Sequence, residues 1–313
     1  MEISMKNIPG QKGNKLSRRK ALKTGALAAA TVSVSLLAQE RKSHAQETRS
    51  DTKNMHLSLA AYSMRDALNK GLMDLFGFID WCAEMDLPGT ELTSYYFKKR
   101  FDNSYLRELK RHALRSGVTI SGTAIRNNFC LPSGPEKQKE IDHVKKWIDY
   151  SVEFFAPHIR IFAGTLPDGV AKQKGIGWVA DGIKEALDYA ADRGIMLGLE
   201  NHGGITARAA DHLAICDAVG KHPWFGINLD TGNYRTNCYE ELAMAAPRAV
   251  NVQVKVEVFE NDGTKVLADL GRVRDILVDA GYKGWIALEY EAEGDPRKEI
   301  PIYIEQMKRF FNS

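Results

Sequence analysis

Several things are scarce in this sequence, and each scarcity closes a door. The 313 residues hold four cysteines and eight histidines. Cys82, Cys130, Cys216 and Cys238 form no CxxC pair and have no His-rich companion pattern, so a cysteine-built metal site is not expected. No GxGxxG follows the first strand and no GKS/T loop occurs anywhere, which removes the usual phosphate cradles. No strong excess of either charge is present, with 43 Lys/Arg against 40 Asp/Glu. A general electrostatic attraction for nucleic acid is therefore not expected.

The N-terminus reads as a targeting segment. Ser17-Arg18-Arg19-Lys20-Ala21-Leu22-Lys23 precedes an apolar run from Gly25 to Ala38, and small residues lead to Ser43-His44-Ala45. A charged stretch, an apolar stretch and a small-residue cut in that order predict a secretory signal over residues 1–45. The arginine pair resembles a twin-arginine export signal, although Ala21 stands where a phenylalanine is common. The apolar run is short for a membrane span, so cleavage and export to the periplasm are expected, without stable membrane insertion afterwards. Removing the signal's nine Lys/Arg and two Asp/Glu leaves 34 basic and 38 acidic residues, a net charge near −4. A folded-export route favours free, buried cysteines over disulfides.

Residues 46–54 are polar and predict a flexible leader. From residue 55 the chain alternates short apolar strands with helical spacing. Strands are expected at Leu57–Tyr62, Gly89–Leu92, Val118–Thr123, His158–Gly164, Met196–Glu200, Gly226–Asp230, Val250–Lys255 and Trp285–Tyr290. Helices are expected near 72–85, 104–115, 137–155 and 177–193. One junction recurs: Arg115-Ser116-Gly117-Val118, Asp192-Arg193-Gly194-Ile195 and Asp279-Ala280-Gly281-Tyr282. Glycine just past a helix end is the common left-handed stop. Alternating strands and helices predict βαβ units and a parallel sheet. Eight units over residues 55–313 predict an α/β fold, a single (β/α)₈ TIM barrel, with a doubly wound open sheet as the alternative.

Chemistry gathers where strands end. Ile195–Leu199 runs straight into Glu200, Asn201 and His202. A later strand ends at Asp230, the next contains Gln253 and Lys255, and the last ends at Glu289. Apolar strands ending in carboxylates are costly to bury without partners. In a barrel such ends converge on the mouth where catalytic groups sit. Three carboxylates and an amide oxygen suit one hard divalent ion, Mn²⁺ first or Mg²⁺, with Co²⁺ or Zn²⁺ as alternatives. His202 shares strand parity with Glu200, as a general base or substrate contact. Lys255 shares parity with Gln253 and is placed to hold a developing oxyanion, or to pair with Glu257 or Glu289. Arg160 and Glu91 are weaker substrate contacts. Tyr62, Tyr95, Phe129 and Trp224 are candidate walls of a sugar pocket, and Glu291, Glu293 and Asp295 read as loop surface.

LGLENHGG, NLDTGN, VNVQVK and IALEYE resemble the metal-binding strand ends of the xylose isomerase-like TIM barrels, the sugar phosphate isomerases and epimerases. The resemblance spans most of residues 55–310. It implies a divalent metal held by Glu200, Asp230, Gln253 and Glu289, with Gln253 where many members have histidine. It also implies that Glu200 and Glu289 remove and return a proton next to a carbonyl, through a metal-stabilised enediolate. Asn233, three residues after Asp230, stands where 3-epimerases have a substrate-contacting histidine, a departure from a plain ketose epimerase.

The expected function is that of an exported isomerase or epimerase of a small carbohydrate. A 3-keto-glycoside lyase sharing the first step is the runner-up, and a sugar-binding barrel without chemistry is a third reading. The same fold serves a nuclease of abasic DNA, which needs a trinuclear zinc cluster and more histidines at the mouth than this chain offers. Nothing in the sequence sets the oligomeric state, and a homo-oligomer is compatible with it.

Overall fold

Eight strands lie side by side and the last pairs with the first. The computed structural model describes residues 55–311, and the expected signal and leader lie outside the described residues. The strands of the ring are β1 (His56–Ala60), β2 (Gly89–Thr93), β3 (Thr119–Ala124), β4 (His158–Ile161), β5 (Met196–Glu200), β6 (Phe225–Asp230), β7 (Ala249–Val254) and β10 (Trp285–Leu288). They close in the order β1-β10-β7-β6-β5-β4-β3-β2, every pair parallel. The closed ring is the expected (β/α)₈ barrel and sets aside the open sheet.

Helices cover the ring: α1 (Arg65–Asn69), α2 (Leu75–Glu84), α3 (Asn103–Arg115), α4 (Pro135–Phe154), α5 (Lys172–Ala191), α6 (Ala209–Val219), α7 (Cys238–Ala245), α8 (Leu270–Asp279) and α9 (Pro296–Phe311). Their starts and stops follow from local chemistry. Asp74, Asp102 and Asp269 each accept a hydrogen bond from a first-turn N–H of α2, α3 and α8, as N-caps do. Gly117, Gly194 and Gly281 take φ of +73°, +67° and +70°, the left-handed stops that the repeated junction predicts. The four cysteines are buried and free. Among the described residues no helix is long and apolar enough to cross a membrane.

One element escaped the sequence reading. Between β7 and α8, β8 (Glu257–Phe259) pairs antiparallel with β9 (Lys265–Leu267). Its turn runs through Asn261-Asp262-Gly263, with Gly263 at φ +85°, and an Asp-Gly pair between alternating residues is a strong hairpin signal. These strands have only three residues each, too few for the alternation that marks a barrel strand.

The floor of the barrel is polar as well as apolar. The His158 imidazole lies inside the ring between Gly122 and Gly198, and a Cβ at either glycine would collide with it. Neither of its ring nitrogens has a hydrogen-bond partner. Burial, and then the charge of Arg160, push its pKa down to about 3. His212, buried on α6 beside the Tyr234 hydroxyl, is likewise pushed down to about 4, chiefly by burial. Both stay neutral in the folded chain, while in the unfolded chain they charge near pH 6.5. The unfolded state therefore binds more protons below that pH, and stability falls as pH falls. Between pH 6.5 and 5 each histidine should cost about 2 kcal/mol of stability. His158→Gln should remove about half of the loss the two cause, which urea unfolding midpoints across that range will read. An unchanged slope would show that His158 also charges when folded.

Candidate active site at the barrel mouth

Strand register decides which side chains reach the mouth. The β10–β7 pairing aligns Ala287 with Gln253 and Leu288 with Val254. Glu289 follows Leu288 and donates its N–H to the Val254 carbonyl. Lys255, one residue after Val254, is therefore level with Glu289, while Gln253 lies one inward position lower. A register shift between Ile227 and Asn228 places Asp230 opposite Gln253.

The residues expected at the mouth separate into two tiers. In the upper tier, Glu200, Arg160, His202, Asn233, Lys255 and Glu289 line one cavity of about 500 Å³. Arg160 Nε lies 2.8 Å from Glu200 Oε2, and Arg160 Nη1 donates to the Ile125 carbonyl at 2.9 Å. Asn233 Nδ2 donates to Glu200 Oε1 at 3.0 Å. Lys255 Nζ pairs with Glu289, stands 2.5 Å from Glu291 Oε2 and 3.2 Å from Asp230 Oδ2. Of these charged groups only Glu291 is exposed.

The lower tier is closed to the cavity. Gln253 Nε2 donates to Glu91 Oε1 at 2.6 Å, and Gln253 Oε1 accepts from Asn228 Nδ2 at 2.7 Å. Asn251 Nδ2 bridges Glu91 at 3.0 Å and Asn228 Oδ1 at 2.7 Å. Glu91, expected to touch substrate, does not line the cavity. Strand β2 continues to Thr93, so Glu91 sits two residues below its end. Burial, and then Glu289, push its carboxyl up to about 7. Asp230 is fully buried. Its Oδ1 accepts the Gly232 N–H at 2.8 Å.

Other expectations are corrected or refined. Glu291, read as loop surface, lines the cavity and pairs with Lys255. The signal was its two-residue offset from Glu289, the same spacing that joins Gln253 to Lys255. Tyr62 and Tyr95 wall the cavity as expected. Phe129 does not, being fully buried against Gly182 of α5. Trp224 lies just before β6, at the opposite end of that strand from Asp230, near Gly194. Phe162, missed in the sequence, stacks on the exposed His202 ring with centroids 4.1 Å apart and carries the Arg160 guanidinium 4.0 Å from its own centroid. Desolvation first, then Arg160, holds the His202 pKa below its usual value.

The two glutamates differ electrostatically. Burial pushes the Glu200 carboxyl well above its usual range despite Arg160. For Glu289 burial also works upward, but the charge and hydrogen bond of Lys255, together with Arg160, outweigh it and hold the carboxyl below its usual range. Two carboxyls at one site pushed apart in this way are the arrangement from which an acid and a base are made.

The expected metal-ligand set fits this arrangement poorly. Among the described residues no three His, Cys, Asp or Glu are grouped as a metal site requires. Gln253 has both ends of its amide engaged below the mouth, Glu200 is taken by Arg160, and the Lys255 ammonium stands among Asp230, Glu289 and Glu291. As arranged, these residues do not hold a divalent ion.

One family model, described as the xylose isomerase-like TIM barrel, matches residues 79–311. No curated protein matches the chain in sequence. Solved structures of similar fold include a D-psicose 3-epimerase with D-tagatose from Clostridium cellulolyticum H10, 13% identical with a TM-score of 0.68, which covers 83% of this chain and 100% of that one. An IOLI protein with a bound zinc atom is 16% identical with a TM-score of 0.66, over 83% and 100%. A probable 3-DHS dehydratase, AsbF, from Bacillus anthracis is 17% identical with a TM-score of 0.62, over 82% and 99%.

Arg160→Met leaves the buried Glu200 Oε2 without the donor that stands 2.8 Å away. The substitution should therefore cost about 1–3 kcal/mol by chemical denaturation, and adding Glu200→Met, which makes both partners apolar, should recover much of it. Equal losses in the single and double variants would show that Glu200 does not depend on Arg160.

Proposed function

The chain belongs to the xylose isomerase-like TIM barrel family, and from that premise we propose that it is an isomerase or epimerase of a small carbohydrate, acting by proton abstraction next to a carbonyl. The observation that carries this reading is the placing of Glu200 and Glu289. They come from different strands, line one cavity, and each is held by its own buried cation. Export to the periplasm by a twin-arginine signal is part of the proposal, supported by Arg18-Arg19 and the apolar run that follows. Free sugar phosphates are scarce there, which favours a neutral sugar or an oxidised glycoside. The similar D-psicose 3-epimerase, solved with D-tagatose, supports a carbohydrate substrate.

The steps follow from this chain's own groups. Glu289, kept ionised against Lys255, accepts the proton from the carbon beside the carbonyl. Glu200, a buried carboxyl across the cavity, returns a proton to that carbon or to its neighbour. Asn233 and Arg160 hold Glu200 in one orientation. Tyr62, Tyr95 and Phe162 offer faces on which a sugar ring can rest. The divalent ion implied by the resemblance, Mn²⁺ first, does not fit the donor arrangement.

The test is proton–deuterium exchange into a panel of ketoses and 3-keto-glycosides, followed by NMR. The chain should exchange the proton beside the carbonyl of at least one, and Glu289→Gln should slow that exchange by about 10²–10⁴-fold. The product separates epimerisation from elimination of an aglycone. Binding of a panel sugar with no exchange would replace this reading with that of a sugar-binding barrel.

A further inference from the structure

We propose that the Lys255 ammonium takes the place of the divalent cation at this mouth, so that a side chain supplies the fixed positive charge facing the developing oxyanion. The part that concerns the reaction rests on the function proposed above, whereas the exclusion of metal stands on its own geometry.

Three independent features place the ammonium. Its backbone is level with Glu289 through the β7–β10 register, and the Lys255 N–H donates to Thr231 Oγ1 at 2.9 Å. Its stem runs along Gly232, where an added Cβ would come within 2.5 Å of Lys255 Cγ and 2.9 Å of the Glu257 carbonyl. The glycine after Thr231 thus provides the groove in which the lysine lies. Its Nζ then meets three carboxylates from the ends of β6 and β10, those of Asp230, Glu289 and Glu291.

The remaining donors are committed elsewhere. Gln253 cannot turn to the mouth without leaving the buried Glu91 and Asn228 short of partners, and buried polar groups rarely tolerate that. Glu200 cannot approach a metal without giving up Arg160. A divalent ion would also have to enter beside two buried cations, at close range in a site shielded from water, where like charges repel strongly.

The same geometry suits the chemistry. When Glu289 removes the proton, the C–H bond breaks and an O–H bond forms on the carboxyl. The electron pair moves into the carbonyl and leaves negative charge on its oxygen. Lys255 Nζ has three N–H donors, and an oxyanion beside Glu289 lies within their reach. Protonation of Glu289 frees a donor when the oxyanion needs one. No co-reactant is consumed, and the proton that returns to carbon comes from Glu200.

The experiment measures metal directly. The purified chain and its Lys255→Ala and Lys255→Gln variants are dialysed, analysed for metal content, and then unfolded thermally with and without added MnCl₂, CoCl₂ and ZnCl₂. The expected result is no stoichiometric metal and no metal-dependent rise in Tm for the wild type. The variants should gain metal binding, with a rise of roughly 5 °C at about a hundredfold excess over Kd. Stoichiometric metal in the wild type overturns the proposal, and so does the failure of both folded variants to gain binding. Should neither variant fold, Gly232→Ala, which displaces the lysine stem without removing its charge, is read in the same way. If the metal results come out as expected but no sugar on the panel exchanges its proton, the proposed function falls and the exclusion of metal stands.

Discussion

A carboxyl group withdrawn from water needs a cation or an array of donors beside it, and at this barrel mouth that requirement orders the charged side chains. Arg160 answers Glu200, and Lys255 answers Glu289, Glu291 and Asp230. Each pairing fixes a rotamer, so the groups proposed to react are held in place before any substrate arrives. Such preorganisation is a large part of what an active site contributes. The cations are held in turn by ordinary structure, Arg160 by a backbone carbonyl and the ring of Phe162, Lys255 by Thr231 and the gap at Gly232.

Below this layer lies a second polar layer with a different task. Glu91, Asn228, Asn251 and Gln253 bond among themselves and leave the cavity to others. Amide groups satisfy one another across strands β2, β6 and β7, tying together parts of the ring that are not all neighbours. His158 fills the space left by two glycines and remains neutral without a partner. The barrel thus combines an apolar layer between strands and helices with polar contacts inside the ring, and its acid sensitivity is expected to come from the buried His158 and His212.

Much of this could be read from the residues in order. The helix–glycine–strand junctions announced the βαβ repeat, and the three glycines do adopt the left-handed backbone expected of them. The convergence of Glu200 and Glu289 followed from placing charged residues at strand ends. Gln253 was a harder case. Parity alone puts it on the same face as Lys255, but parity carries no information about height along the barrel axis. Height depends on inter-strand register, including the shift at Ile227–Asn228, and that shift involves residues more than 20 positions apart in the chain. Glu291 was underrated for the same reason, since its partner Lys255 lies 36 residues away.

Local rules of backbone and periodicity are written in short windows, so the sequence by itself determined the alternating units, the barrel class, the helix stops and the inward-facing Glu200, Lys255 and Glu289. Charge pairing at the mouth is a matter of three-dimensional neighbours. Only the closed ring decided that Gln253 binds Glu91 below the mouth, that Glu291 joins the cavity, and that a lysine stands among the carboxylates. Electrostatic energy depends on distances between strands, and those distances exist only once the ring has closed.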